Sequence, residues 1–376
     1  MSFSPLALAE RIIVSADRAH PADAVLRQAL KSQKGLTPGD ATRVSAAVFA
    51  YYRWYGWLDA AHPLTKNIQR AVELSARFAQ SPQSFFDSEI VDRSVPAWAQ
   101  QAVQVTAAWA RTLQHEPELW LRARPGQGKV LARKLGHCSR FGRDYGTDIL
   151  RYNGHADLFL TKEFHAGEFE LQDLSSQAVA LICSPQAGQT WWDACAGEGG
   201  KTLHLSDLME NKGLIWASDR AGWRLQKLKR RAARAKVFNY RAVEWDGGPR
   251  LPTRTKFDGV LVDAPCSGIG TWQRNPHARW TTTPQDVEEL TRLQQQLLRN
   301  AAVAVKPGGK LIYAACTLAR AETVDVAENF ERAGADFQRV DFRNPLAPES
   351  APEPQLYFWP QQFGGNGMFI AVWRRR

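Results

Sequence analysis

The chain has 376 residues, 44% of them apolar, which suffices for two or three domains with buried cores and is too high for a disordered polypeptide. Its formal net charge of +10 suits a polyanionic partner, because Lys and Arg displace counterions from phosphates, although a soluble basic protein of another kind fits the same value. The five cysteines (Cys138, Cys183, Cys195, Cys266 and Cys316) are widely spaced without a CxxC pair, and the histidines show no ligand spacing; this argues against a metal site or a disulfide framework and for a reducing cytoplasm.

The opening MSFSPLALAERIIVSADRAH carries Glu10 and Arg11 within its first apolar stretch, unlike a signal peptide, and no run approaches the ~20 apolar residues of a membrane span. Nothing asks for an oligomer, so a cytoplasmic monomer without a membrane partner is expected. Residues 1–90 then read as helices: ADAVLRQALK and DATRVSAAVFAYYRWYGWLDAA place apolar residues three and four apart, with Thr37-Pro38-Gly39-Asp40 breaking the pattern. Residues 91–165 read as a small α/β extension, with a helical run from Pro96, a strand at ELWLRARP, a short helix at GKVLARKLG and further strands in ILRYNGHADLFL. Basic and aromatic residues mix there: Arg122, Arg124, Lys129, Arg133, Lys134, Arg140, Arg143 and Arg151 with Trp120, Phe141, Tyr145 and Tyr152. Such a mixture suits phosphates and unpaired bases, and it equally suits a solvated charged face.

Residues 166–376 alternate short apolar strands (TWWDACAG, GLIWASD, NYRAVEWD, FDGVLVDAP, GGKLIYAAC) with helices such as RLQKLKRRAARA and PQDVEELTRLQQQLLRNAAVAV. This predicts an α/β fold, a doubly wound Rossmann-like parallel sheet, with the late strands FQRVDF and MFIAVWRRR at its edge. Ligands of such sheets bind beyond the carboxyl ends of the strands. After the first strand comes a Gly-rich turn, Cys195-Ala196-Gly197-Glu198-Gly199-Gly200-Lys201, which matches neither GxxxxGK[ST] nor GxGxxG and is alone a weak signal. Asp219, at the end of the second strand and about 20 residues beyond that turn, is placed to accept hydrogen bonds from a ribose. Asp246 follows the third strand, where it can meet an adenine amino group. Each aspartate alone fits a cap or a turn; three features in register on successive strands point to an adenosine-containing cofactor. The fourth strand ends at Asp263-Ala264-Pro265-Cys266 and the fifth at Ala315-Cys316-Thr317, so two cysteines sit at adjacent strand ends. Activating an electron-poor pyrimidine at carbon 5 needs a soft nucleophile at carbon 6, a role that thiolate fills.

DACAGEGGKT, DAPCSGIGTWQRNPHARW and YAACT, with GEFELQDLSSQAVALI before them and NGMFIAVWRR after, resemble the RsmB/Sun-type (NOL/NOP/Sun) RNA cytosine-5 methyltransferases over residues 160–376. The N-terminal helices more loosely resemble the NusB-like RNA-binding region of bacterial members, and residues 91–165 correspond to the family's small RNA-binding extension. The resemblance implies S-adenosylmethionine as cofactor, with residues 195–201 around its methionine moiety, Lys201 closing the loop, Asp219 on the ribose and Asp246 on the adenine. It implies Asp263 where cofactor and base meet, Cys316 as the nucleophile and Cys266 as the group that promotes loss of the carbon-5 proton. Ribosomal RNA is the implied substrate, transfer RNA the second choice. Three positions depart from the pattern: Glu198 replaces a proline, Ala315-Cys316-Thr317 replaces Thr-Cys-Ser, and Glu322-Thr323-Val324 keeps one acid of a Glu-Glu-Asn stretch. The basic helix from Arg224 to Lys236 fits either RNA phosphates or a solvated face, whereas Trp272, Arg274, Arg279 and Trp280 are expected around a flipped nucleotide.

Three rival readings separate on particular residues. A catalytically silent, RNA-binding assembly factor has no need of both cysteines together with Asp263. A DNA cytosine-5 methyltransferase uses the cysteine of the Pro-Cys pair and leaves Cys316 unexplained. A small-molecule methyltransferase leaves unexplained the 21 Lys/Arg against 15 Asp/Glu of residues 1–165.

Overall fold

The structure, a computed structural model, describes residues 4–142, 148–333 and 336–376. Arg143 and Tyr145 lie outside the described residues. The chain divides into two compact units, Met1–Pro117 with Gly268–Asp286, and Glu118–Ser267 with Val287–Arg376.

The first unit is helical. Ser4 caps the helix Pro5–Ser15 and Thr37 caps Pro38–Arg53, each accepting a first-turn amide, so the tetrapeptide from Thr37 to Asp40 starts a helix rather than separating two. Leu8, Ile12, Val44, Val48 and Ile68 fill one core, and Trp54, Leu74, Phe78, Phe85 and Ile90 fill a second. The segment 268–286 belongs to this unit through Arg279. Its fully buried guanidinium donates from Nη1 to Ser94 O (2.9 Å) and Arg53 O (3.3 Å). Nη2 donates to Leu113 O (3.0 Å) and Trp272 O (3.3 Å). Arg53 ends the helix Pro38–Arg53, while Ser94 and Leu113 are the C-caps of Asp87–Arg93 and Ala107–Thr112. Three helix ends, each with orphan carbonyls and a partial negative charge, therefore converge on one cation. Burial and the nearby Arg53 push its pKa down to about 9, so it remains charged at neutral pH. The expectation that Trp272, Arg279 and Trp280 flank a nucleotide is thereby corrected. Trp272 is fully buried and stacks on Trp109, and the Trp280 indole donates to Tyr52 O at 2.7 Å.

The second unit holds two sheets. The smaller comprises β1 (Leu119–Ala123), β2 (Cys138–Arg140), β3 (Ile149–Tyr152) and β4 (Phe169–Leu171), antiparallel in the order β2-β3-β1-β4. Several of its basic residues serve packing rather than an outer surface. Arg122 is buried against Asp207 and Gln172, Arg124 pairs with Asp207 and Glu170, and Arg151 with Glu118. Trp120 and Tyr152 are buried, whereas Lys129, Arg133 and Arg140 are exposed.

The larger sheet contains β5 (Thr190–Asp193), β6 (Leu214–Asp219), β7 (Tyr240–Glu244), β8 (Phe257–Asp263), β9 (Val305–Ala315), β10 (Phe337–Arg339), β11 (Gln355–Phe358) and β12 (Met368–Arg375). Its order is β10-β12-β9-β8-β5-β6-β7, with β11 also on β12. Strands β5 to β9 pair in parallel, whereas β12 is antiparallel to β9, β10 and β11. Thus β12 lies inside the sheet and only β10 takes the edge expected for both late strands. The reason is visible in MFIAVW, six buried residues in a row, which need cover on both faces. Both faces of β5 are likewise covered: Trp191 packs into one core and Trp192, with Trp245 and Phe257, into the other. Gly259 of β8 permits this, because a Cβ there would lie 2.3 Å from the Trp191 ring. Helices Gly200–Leu208 and Gly222–Arg234 connect β5 to β6 and β6 to β7, after which the chain crosses to β8 on the other side of β5. That reversal between β5 and β8 opens the crevice in which such sheets hold ligands.

Candidate active site

A cavity of about 510 Å³ lies at the carboxyl ends of β5, β6, β8 and β9 and beyond β7. It brings together Cys195, Ala196, Gly197, Glu198, Gly200, Lys201, Asp219, Asp246, Asp263, Cys266 and Cys316. Gly199 does not line it; this glycine has φ +87° and sits where a Cβ would meet Leu228 at 2.6 Å, so it serves helix packing.

The turn after β5 is fastened to β6. Ala196 N–H donates to Ser218 O at 2.8 Å, and Gly197 N–H donates to the Asp219 carboxylate at 3.0 Å. The other Asp219 oxygen accepts from Ala221 N–H at 2.9 Å, so the carboxylate is held rigidly at the cavity wall. Gly200 begins the helix Gly200–Leu208, and a Cβ added to it would meet no protein atom within 4 Å. A helix N-terminus therefore faces open space at the point where a ligand's charged end can approach backbone amides. Asp246 is exposed, two residues past β7, and accepts from Gly248 N–H at 2.8 Å in a turn of its own. The extra charge of Glu198 is compensated by Lys227 at 2.7 Å.

The basic helix Gly222–Arg234 is committed to structure in part, and Lys229 and Arg230 on it are exposed. Arg231 and Arg234 pair with the buried Glu170, and Arg224 lies 3.4 Å from Asp219. Those arginines outweigh the burial of Glu170 and hold its pKa below the usual carboxylate range.

At the reactive end, Lys201 Nζ donates to Asp263 Oδ2 at 2.6 Å. Burial opposes the Lys201 ammonium, but the Asp263 carboxylate outweighs it and raises the lysine pKa. Cys266 Sγ and Cys316 Sγ are 3.2 Å apart, and the hydrogen bond from Cys266 lowers the Cys316 pKa against the opposing effect of burial. Lys201 works in the same direction; Asp263 and Glu322 work against it. Thiolate is the nucleophilic form of cysteine, and the direction of this shift favours it at Cys316. By contrast, burial pushes Cys195 well above the ordinary thiol range, which suits a wall residue and not a nucleophile. None of the five cysteines is bridged. Among the described residues no group of His, Cys, Asp and Glu is arranged to hold a metal ion, and no helix is long and apolar enough to cross a membrane.

Three residues without an assigned role at the sequence level belong to this architecture. Asp193 is fully buried at the end of β5, accepts from Thr202 Oγ1 at 2.6 Å, and has its pKa raised by burial to about 7. Glu322 and Gln294 are buried beneath the two cysteine loops. Gln294 had a legible signal: it falls on the stripe of Val287, Leu297, Leu298 and Ala301 on the helix Pro284–Ala302, where a polar side chain needs a reason.

The sequence profile described as 16S rRNA methyltransferase RsmB/F matches residues 180–374. The probable ribosomal RNA small subunit methyltransferase B of Synechocystis sp. is 40% identical over 214 residues, 55% of this chain and 48% of that protein. The protein of the same description from Bacillus subtilis is 35% identical over 222 residues, 57% and 50% of the two chains. The chain thus spans about half the length of these curated relatives. Among solved structures, that of PH0851 superposes with a TM-score of 0.80 at 21% identity, covering 100% of both chains. NSun6 from Pyrococcus horikoshii, solved with SFG, gives 0.61 at 19% identity over 71% of this chain and 93% of that one. At those identities the superpositions establish the fold.

Proposed function

The chain belongs to the 16S rRNA methyltransferase RsmB/F family, and on that premise we propose that it methylates carbon 5 of a cytosine in RNA through a covalent Cys316 adduct, with S-adenosylmethionine as methyl donor. Ribosomal RNA is the favoured substrate, and transfer RNA the alternative. The helical residues 1–90 and the extension 91–165 are proposed to bind RNA, and 166–376 to carry the chemistry.

The cavity fits such a cofactor: about 510 Å³ is within the range of small-molecule sites, Gly200 leaves room above a helix N-terminus, and Asp219 offers a fixed acceptor at a ribose position. Residues 195–201 would hold its methionine end and Asp246 its adenine. Bound there, it supplies an electrophilic methyl group to carbon 5.

The observation that carries the reading is the thiol pair at the ends of adjacent parallel strands, 3.2 Å apart at the cavity. Cys316 thiolate adds to carbon 6 of an unstacked cytosine, and the electron pair of the 5,6 double bond moves toward carbon 5 and ring nitrogen 3. Asp263 hydrogen-bonds the base, with the Lys201 ammonium as the proton source on that side. After carbon 5 is methylated, Cys266 promotes removal of its proton; the electrons of that C–H bond restore the double bond and expel Cys316 as thiolate, and ring nitrogen 3 returns its proton to Lys201.

The test is adduct trapping. Cys316→Ala should form no protein–RNA adduct, and Cys266→Ala should accumulate one that survives denaturing electrophoresis. The reverse pattern would overturn the assignment of the two thiols. Bisulfite sequencing of cellular RNA with and without the gene names the cytosine.

A further inference from the structure

Cys266 and Cys316 lie on separate loops, after β8 and β9, and their 3.2 Å approach needs something to hold those loops in register. The backbone ladder cannot do so, because its pairing ends at Asp263 opposite Ala314. Beneath the thiols lies a fully buried carboxylate, Glu322. Its Oε1 accepts from Ser267 N–H at 2.8 Å and from Gln294 Nε2 at 3.0 Å. Its Oε2 accepts from Thr317 Oγ1 at 2.8 Å and from the Ser267 hydroxyl. Gln294 Nε2 also donates to Pro265 O at 2.9 Å, and the Tyr313 hydroxyl donates to Glu322 O at 2.6 Å. Both neighbours of Cys266 and the residue after Cys316 are thus tied, directly or through Gln294, to one side chain.

We propose that Glu322 is a positioning residue whose carboxylate clamps the Cys266 loop to the Cys316 loop and so sets the distance between the two thiols. The chemistry suits the task, since a carboxylate offers about four lone-pair sites in one plane and carries no proton that would repel a donor. A sulfur–sulfur hydrogen bond is weak and short-ranged, so it survives only where the backbone supplies the distance. Misplacing reacting groups by about 1 Å costs about 100-fold in rate. The catalytic consequence rests on the cytosine-5 reading above, whereas the clamp itself concerns only the thiols.

The experiment uses the full-length protein without RNA or added cofactor and follows iodoacetamide alkylation of Cys316 against pH by peptide mass spectrometry. The groups facing Cys316 are Cys266, Asp263, Lys201 and Glu322. Glu322→Ala should move the alkylation rise to higher pH, because the Cys266 hydrogen bond that favours the thiolate is lost. Glu322→Gln should not, because the two hydroxyls can turn round and accept from the new amide while its oxygen keeps the Ser267 N–H. Its rise should fall at or below the wild-type pH, since a charge opposing the thiolate is gone. Should Glu322→Ala fail to fold, Thr317→Val, which deletes one donor and keeps the shape, should move the rise in the same direction by less. In methylation of RNA, Glu322→Ala should lose about 100-fold in kcat with KM nearly unchanged, and Glu322→Gln should recover most of it. A wild-type alkylation profile in both Glu322→Ala and Thr317→Val, or equal displacement by Ala and Gln, overturns the clamp. Alkylation profiles as expected beside a Cys266→Ala protein that accumulates no RNA adduct and a wild-type protein that leaves cytosine unmethylated support the clamp and overturn the cytosine-5 reading instead.

Discussion

Replacing Arg279 by Met tests how the segment 268–286 is anchored. The side chain donates to four backbone carbonyls, two at 2.9 and 3.0 Å and two at 3.3 Å, and three of the acceptors sit at helix C-termini. Methionine fills similar space but strands those carbonyls away from water, at roughly 1–3 kcal/mol for each one left unsatisfied. Against this stands the relief of desolvating a guanidinium: the fall of its pKa from 12.5 to about 9 corresponds to roughly 5 kcal/mol against the charged form. The four bonds to a charged donor contribute roughly 1.5–3 kcal/mol each, so their loss outweighs the relief. A net destabilisation of about 3 kcal/mol follows, and hence a drop of about 10 °C in the Tm of the helical unit. Tryptophan fluorescence in urea or heat reads it locally, since the Trp272 carbonyl is one of the four acceptors and its ring stacks on Trp109. Arg279→Lys should recover only part of the loss, because one ammonium cannot span two pairs of acceptors. A Met variant melting within about 2 °C of wild type would refute the reasoning: the carbonyls would then be satisfied without the guanidinium, and 268–286 would be held by its apolar contacts.

Three further outcomes are expected. Lys201→Met leaves the Asp263 carboxylate uncompensated beside Cys316, so adduct formation should fall by about 100-fold or more, and the alkylation rise of Cys316 should move to higher pH; an unmoved profile would sever Lys201 from the thiol. Gly200→Leu should leave Tm unchanged, because the added Cβ meets no protein atom, yet weaken binding of S-adenosylhomocysteine by about 100-fold in calorimetry as the side chain enters the cavity. Asp193 has a raised folded-state pKa, so its contribution to stability is complete below the ordinary carboxylate range and is lost as pH rises toward about 7. The difference in Tm between pH 5 and pH 8 should therefore shrink in Asp193→Asn, and an unchanged difference would mean that Asp193 is ionised in the fold at both.

The larger sheet was legible because some of its parallel strands are short apolar runs that end in a candidate site residue, as in β6, which stops at Asp219, and β8, which stops at Asp263. The position of β12 was misread from chain order, although its unbroken apolar run signalled cover on both faces. Segment 268–286 was opaque for a different reason. Trp272 and Arg279 have the composition of an RNA-contacting surface, and what makes them a buried staple is the convergence of helix ends from residues 53, 94 and 113, which no local pattern reveals. Arg122 and Arg124 misled in the same way: their partners Asp207 and Glu170 are distant in sequence. Glu322 stood out as the retained acid of its stretch, but only the fold connects it to Ser267, 55 residues earlier.

The charge balance around Cys316 explains how a thiol proposed as the nucleophile can sit among so many acids. A thiolate beside several ionised carboxylates would be strongly disfavoured in a buried site. Here burial raises the Asp193 pKa to about 7, which shifts it toward its neutral form, while the Glu322 carboxylate is met by four donor groups from Ser267, Gln294 and Thr317. Asp263 has its charge met by Lys201 at 2.6 Å, and Asp219 has Arg224 at 3.4 Å. With the carboxylates neutralised or paired, the donation from Cys266 is enough to tip Cys316 below the ordinary thiol range even though burial opposes it. The same distribution distinguishes the two remaining cavity and core cysteines. Cys195 and Cys183 have no comparable thiol donor, and burial together with the field of Asp193 drives both upward. On the proposed reading the reactive sulfur is the one that the loops bring to another sulfur: strand order sets β8 beside β9, and the Glu322 contacts hold the loops that follow them.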